Sequence, residues 1–299
     1  MKGSRTQKSV TNTVVSFASQ LIVILLGFLS RRVLIYSVGV EYLGINGLMS
    51  NILTIFSLAE SGIGLAIGYA LYKPLAENDI EQVKSLMRFF KYTYRALARG
   101  TAAIGIAFYP LLPFFLKNNT APDANLVYWL FLLGSVSSYL WVYKTTLNTS
   151  DQNKYLYTIA STIAQIVVLV LKVLILYFAQ NYILYLAVDI GTTIVKNLIF
   201  CRIVDRRYPY LKDKNVRKLD PEVRKSLFTN IKALFLGKVG YIISQCSDNL
   251  VISSLVSVTA VGMYSNYTTL ITSVSGFVTT FSSGVTASMG NLIASETKE

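Results

Sequence analysis

Eight ionisable side chains interrupt stretches that are otherwise apolar: Arg31, Arg32, Glu60, Lys172, Asp189, Lys196, Lys238 and Asp248. The chain has no histidine, and its two cysteines, Cys201 and Cys246, both fall in apolar runs. Zinc motifs and most general acid–base schemes are thereby removed. The cysteines read as small packing residues. No G-x-x-x-x-G-K-[ST] run is present to bind nucleotide phosphates. No catalytic residue, metal or cofactor is expected. The chemistry left to these eight groups is charge recognition, charge pairing or the binding of a proton or cation. Each costs about 2.5–3.5 kcal/mol at the centre of a membrane helix, so most of them must face a wet cavity, pair, or snorkel to an interface.

The elements that carry them follow from composition. Of the 299 residues 53% are hydrophobic and 14% charged, whereas a soluble domain holds about 25% charged residues. Mean hydropathy is +0.49. Several runs exceed the roughly 20 apolar residues that span a bilayer, and the short alternating segments of a β-barrel are missing. The expectation is an all-α integral membrane protein of about eight transmembrane helices, at 11–36, 43–71, 90–116, 125–146, 156–179, 182–203, 228–255 and 262–293. The net charge of +13 sits between the apolar runs rather than on a nucleic-acid-binding face. With a cytoplasmic N-terminus, 22 of the 28 basic residues fall on the inside, and Lys117 alone falls outside, as the positive-inside bias requires. Lys2, Arg5 and Lys8 precede the first span without a small-residue cleavage site, so it reads as a retained helix. Tyr36, Tyr42, Trp129, Trp141, Tyr155, Tyr182 and Tyr185 fall near span ends, where aromatic belts form.

Two inside segments are more than connectors. Asp79 to Arg99 reads as an amphipathic helix running into the third span, with Val83, Leu86, Met87 and Phe90 on one side. Lys84, Arg88, Lys91 and Arg95 are spaced for the other. Arg202 to Lys232 holds ten basic residues, broken by Pro209 and Pro221, and is either a topogenic, anionic-lipid-attracting segment or a grip for an anionic head group.

The first two spans recur in the last two. Ser30 to Ile35 aligns with Ser247 to Ile252, Gly44 with Gly262, Ser61-Gly62 with Ser283-Gly284, and Gly68 with Gly290. An even number of spans separates the copies, so they share an orientation, as in transporters built of two parallel halves. The division expected is 1–203, a first six-helix lobe; 204–227, a basic linker; and 228–299, the start of a second lobe. By analogy that lobe would need about 125 more residues.

At 1.5 Å per residue Arg31 stands roughly 27 Å above Thr13, at a height matching Asp248 above Phe228. Three roles stay open for Arg31 and Arg32: an inter-lobe ion pair with Asp248 that latches the outer side, snorkelling to head groups, or contact with cargo. Glu60 lies low in the second span, beside Gly62, Gly64 and Gly68. It serves either tight packing through the G-x-x-x-G spacing or as a cavity carboxylate next to a flexible point. Lys172 and Lys196 are candidate cavity cations for a pyrophosphate, or they snorkel. Lys196 and Asp189 stand about 10 Å apart on one face, too far to pair.

The run Gly44-Ile45-Asn46-Gly47-Leu48, then Ser57-Leu58-Ala59-Glu60-Ser61-Gly62-Ile63-Gly64, then Leu71-Tyr72-Lys73-Pro74-Leu75-Ala76-Glu77, resembles the bacterial polysaccharide transporters. So does the ending Gly290-Asn291-Leu292-Ile293-Ala294-Ser295-Glu296. These are flippases for lipid-linked oligosaccharide repeat units of the O-antigen and exopolysaccharide type. They share a superfamily with the multidrug and toxin extruders and the lipid II flippase. The lipid II flippase carries an Arg-Asp pair after a Gly-Phe in its first span; here Gly27-Phe28 is followed at those places by Ser30 and Arg31. The resemblance covers the N-terminal part of a protein of 12 to 14 spans. It implies two six-helix lobes around a cavity with alternating access, in the bacterial cytoplasmic membrane. It also implies lipid-linked oligosaccharide and membrane lipids as partners, together with glycosyltransferases and a polymerase of the same pathway. A drug/cation antiporter of the same superfamily is the alternative; five intramembrane cations against three acids favour an anionic cargo over it. A glycan polymerase or sugar transferase is disfavoured by the short outer loops.

Overall fold

The computed structural model describes residues 5–116, 123–213 and 215–296. These form an all-α membrane protein, with two short 3-10 turns and no strand among the described residues. The first two helices are α1 (Arg5–Val38) and α2 (Val40–Phe56), separated by Gly39 at φ +95, a left-handed backbone value open to glycine. The third, α3, covers Leu58–Glu77 and ends at left-handed Asn78. Asp79 then caps α4 (Ile80–Phe108) by accepting from the Gln82 amide at 3.0 Å. Next come α5 (Leu112–Phe115), α6 (Ala124–Ser138), α7 (Val142–Ser150) and α8 (Lys154–Phe178). Asn181 caps α9 (Tyr182–Arg207) through the Leu184 amide. Asp220 with Pro221 opens α10 (Pro221–Leu255), and α11 spans Val258–Glu296.

Among the described residues four helical stretches are long and apolar enough to cross a membrane: Thr11–Val38, Ile80–Phe115, Lys154–Phe178 and Tyr182–Arg207. A fifth is the pair α6 and α7, bent by 44°. Two expected spans are therefore interrupted. The 43–71 stretch divides at Ser57, whose hydroxyl and amide both return to the Leu53 carbonyl, at 2.7 and 2.9 Å. The 125–146 stretch bends where the Ser137 and Ser138 hydroxyls bond the carbonyls of Gly134 and Ser135. Serine hydroxyls that compete for backbone carbonyls weaken and bend a helix in this way. The amphipathic reading of α4 holds on its apolar side, where Val83, Leu86, Met87 and Phe90 are all enclosed, whereas Lys84, expected on the polar side, is buried as well because Glu81 and Asp213 pair with it.

Two apolar clusters hold the bundle. One joins α1, α2, α6 and α9 through Leu34, Leu48, Ile52, Tyr128 and Leu186. The other, toward the basic end, joins α3, α4, α7 and α9 through Ile67, Leu86, Phe90, Leu147 and Val204. Apolar side chains such as Leu25, Ile163, Val170 and Phe178 stay exposed on the outer faces, where lipid would cover them. The last two helices are docked onto the first three: α10 lies along α2 and α3, and α11 along α1 and α2. Where α11 meets α2 the two helices touch at glycine. A Cβ on Gly262 would stand 2.5 Å from the Val40 carbonyl oxygen, and one on Gly44 would overlap the Val258 carbonyl.

Candidate functional site

The antiparallel hairpin of α8 and α9 turns at residues 179–181. Lys172 and Asp189 lie about equally far before and after that turn, which brings them to one height. Lys172 Nζ and Asp189 Oδ2 are 3.0 Å apart. The lysine is buried and the aspartate side chain is 45% exposed, so the charge enclosed by the helices is the cation. The same ammonium lies 4.3 Å from the centre of the Tyr185 ring, a cation–π contact strengthened by partial desolvation. Tyr185 in turn shares a 3.2 Å hydrogen bond with Ser30 of α1.

Ser30, Lys172 and Asp189 line one cavity of about 230 Å³ between α1, α8 and α9, together with Gln165, Thr192 and Lys196. Lys196 Nζ donates to Ser161 Oγ at 3.3 Å and lies 5.3 Å from the Tyr157 ring centre. It has no carboxylate partner among the described residues. Asp189 also borders a second cavity, of about 340 Å³, where Ser50, Ser135 and Ser138 meet it. The first cavity thus contains two lysines against one carboxylate. Lys172 is neutralised and held by aromatic and acidic neighbours, whereas Lys196 keeps its charge available. The sequence had marked Lys172 and Lys196 separately; the structure brings them together and adds Asp189 as the third member.

Arg31 points elsewhere. Its guanidinium reaches α11, where Nε donates to Asn266 Oδ1 at 2.6 Å and the two terminal nitrogens meet Ser265 Oγ and Thr269 Oγ1. The expected pairing with Asp248 is not formed. Asp248 is exposed and accepts from the Tyr264 hydroxyl at 2.8 Å. The reason is geometric: α1 packs on α11, and a planar fork is satisfied by three neutral oxygens on successive turns of that helix. Arg32 is exposed, with its guanidinium 5.8 Å from the Tyr36 ring one turn on, an arrangement open to head groups rather than to Asp248.

Glu60 is half-buried near Tyr94 and Tyr139, away from the lysine-lined cavity. Gly64 and Gly68 pack against Tyr94 of α4 and Ser150 of α7, with Cβ distances of 3.4 and 3.7 Å. The side-chain surroundings of Gly62, Lys238 and Gly284 lie outside the described residues. Sequence reasoning missed Ser265, Asn266 and Thr269. Their spacing of i, i+1 and i+4 within an apolar helix was the available signal.

No protein-family model matches the chain, and no curated protein matches it. Among solved structures, the chain is similar to an inward-facing multidrug resistance MATE family transporter of the MOP superfamily. The TM-score is 0.58 at 14% identity, over 93% of this chain and 66% of the other. The described helices therefore have the fold of a membrane transporter of that class. They span about two thirds of that protein's length.

Proposed function

We propose that this chain belongs to a transporter that flips polyprenyl-pyrophosphate-linked oligosaccharide units from the cytoplasmic to the outer leaflet. The observation that carries this reading is the cavity between α1, α8 and α9, where Lys196 has no carboxylate partner and Lys172 is held by Asp189. An ammonium group attracts a phosphate oxygen without geometric demand, and polar neighbours such as Gln165 and Thr192 suit hydroxyl-rich cargo. Arg31, donating to three oxygens of α11, ties the first helix to the last and would be released as the halves rock apart. Alternating access of two parallel halves is the mechanism this arrangement supports.

A drug/cation antiporter is the second reading, favoured by the likeness to a multidrug resistance transporter. The two readings differ in the sign of the cargo. The full-length protein in proteoliposomes should translocate a fluorescent polyprenyl-pyrophosphate oligosaccharide and leave a cationic dye unmoved. Dye efflux without lipid translocation would favour the antiporter.

A further inference from the structure

The connection between α9 and α10 is strapped along α4. Lys84 Nζ pairs with Asp213 at 2.9 Å, Ser85 Oγ donates to the Arg217 carbonyl at 2.9 Å, and Arg88 reaches the Val216 carbonyl at 3.2 Å. On either side of this strap lies a cavity, one of about 770 Å³ and one of about 500 Å³, and Arg88 and Tyr92 line both. Together they form one groove.

Its charge is unbalanced. Two of the acids that line it are paired, Asp213 with Lys84 and Asp205 with Lys144 at 2.8 Å; the third, Asp220, accepts from the Glu222 amide at 3.0 Å, keeps its charge and is outnumbered by the cations. Among the described residues Arg88, Lys91, Arg217, Lys218, Arg224 and Lys225 form no ion pair. Beside these cations Tyr92 and Phe228 are 55% and 49% exposed, and Arg224 lies 5.8 Å from the Phe228 ring centre. The groove stands on the part of α4 that continues directly into an apolar, membrane-length stretch.

We propose that this groove seats the phosphate-bearing head group of an anionic phospholipid from the adjoining leaflet, and that the bound head group braces the α9–α10 connection against α4. The cations meet the phosphate, and the exposed aromatic faces meet the glycerol and upper acyl carbons. A free phosphate ion would use the cations and leave the aromatic faces uncovered; the juncture with a membrane-length helix favours the lipid. This site is separate from the cavity between α1, α8 and α9 and stands whatever that cavity carries.

The test uses the full-length protein in nanodiscs of phosphatidylcholine with a minor share of phosphatidylglycerol. Lipid retained after detergent extraction is counted by native mass spectrometry. Arg217 and Arg224 are exposed, so Arg217→Gln/Arg224→Gln should fold normally. The pair should lower phosphatidylglycerol preference about fivefold per charge removed, roughly 25-fold together. The charge-matched control Lys73→Gln/Lys154→Gln, on exposed lysines away from the groove, should change it less than about twofold. Hydrogen exchange across 213–220 should slow with phosphatidylglycerol in the parent protein and not in the groove variant. Equal loss in both pairs would reduce the effect to diffuse attraction and overturn the proposal. Protection of 213–220 by millimolar inorganic phosphate, with no phosphatidylglycerol preference, would overturn the lipid as occupant.

Discussion

Gly44 and Gly262 face each other where α2 crosses α11, each pressed against the carbonyl of the residue four positions before the other, Val258 and Val40. The two sites read Val40-Glu41-Tyr42-Leu43-Gly44 and Val258-Thr259-Ala260-Val261-Gly262, a shared Val-x-x-x-Gly. The contact is reciprocal, as in an isologous interface. At this crossing the glycine pair expected from the repeat is in contact, and Gly47 continues the pattern by facing Ser265 at 3.6 Å.

Alanine at Gly44 or Gly262 must push the two helices apart, because the obstacle is backbone rather than a movable side chain. Overpacking of this kind costs about 1–3 kcal/mol. Thermal unfolding in detergent should show the loss for Gly44→Ala and Gly262→Ala. Gly191→Ala, where a Cβ meets nothing within 4 Å, should be neutral or stabilising by up to about 1 kcal/mol. Equal effects at all three positions would refute the crossing.

Lys172 and Asp189 should behave as a coupled pair. Removing the acid alone leaves a buried ammonium without its carboxylate, a heavier penalty than removing both. Asp189→Leu should therefore destabilise more than Lys172→Met/Asp189→Leu, and with Lys172→Met alone the double-mutant cycle by chemical denaturation should give a coupling energy of about 0.5–3 kcal/mol. Additive single effects would mean that the pair does not exist in the folded protein.

Arg31 tests the α1–α11 tie. Lysine keeps the charge but loses the fork that reaches Ser265, Asn266 and Thr269. A hydrogen bond to a charged group contributes about 1.5–3 kcal/mol, so Arg31→Lys should lose at least one such bond and expose α11. Modification of Ser273→Cys, half-buried one turn beyond Thr269, should then rise about tenfold. Unchanged labelling would sink the tie. Asp248→Lys should leave that labelling unaltered, because Asp248 contacts Tyr264 instead.

The membrane class, the amphipathic first half of α4 and the two lysines of the cavity were readable from local pattern alone. Apolar periodicity and the cost of a charge in lipid are properties of single segments. What stayed hidden depends on how segments meet. The partner of Lys172 is chosen by the register of the α8–α9 hairpin, and the Lys196-to-Asp189 spacing along one helix says nothing of it. Arg31 was matched to Asp248 by repeat symmetry and opposite charge. Three neutral oxygens on α11 satisfy it better, since desolvating a second charge is expensive. The break at Ser57 follows from one hydroxyl that returns to a carbonyl, which composition does not register.

In the proposed transport cycle an anionic lipid-linked sugar is bound through Lys196. The most direct measurement is translocation of a fluorescent polyprenyl-pyrophosphate oligosaccharide by the full-length protein in proteoliposomes, compared with Lys196→Gln and Lys196→Arg. Losing a charged hydrogen bond worth about 1.5–3 kcal/mol should slow the glutamine variant at least about tenfold, and arginine should restore most of the rate. Undiminished translocation by Lys196→Gln would contradict the account.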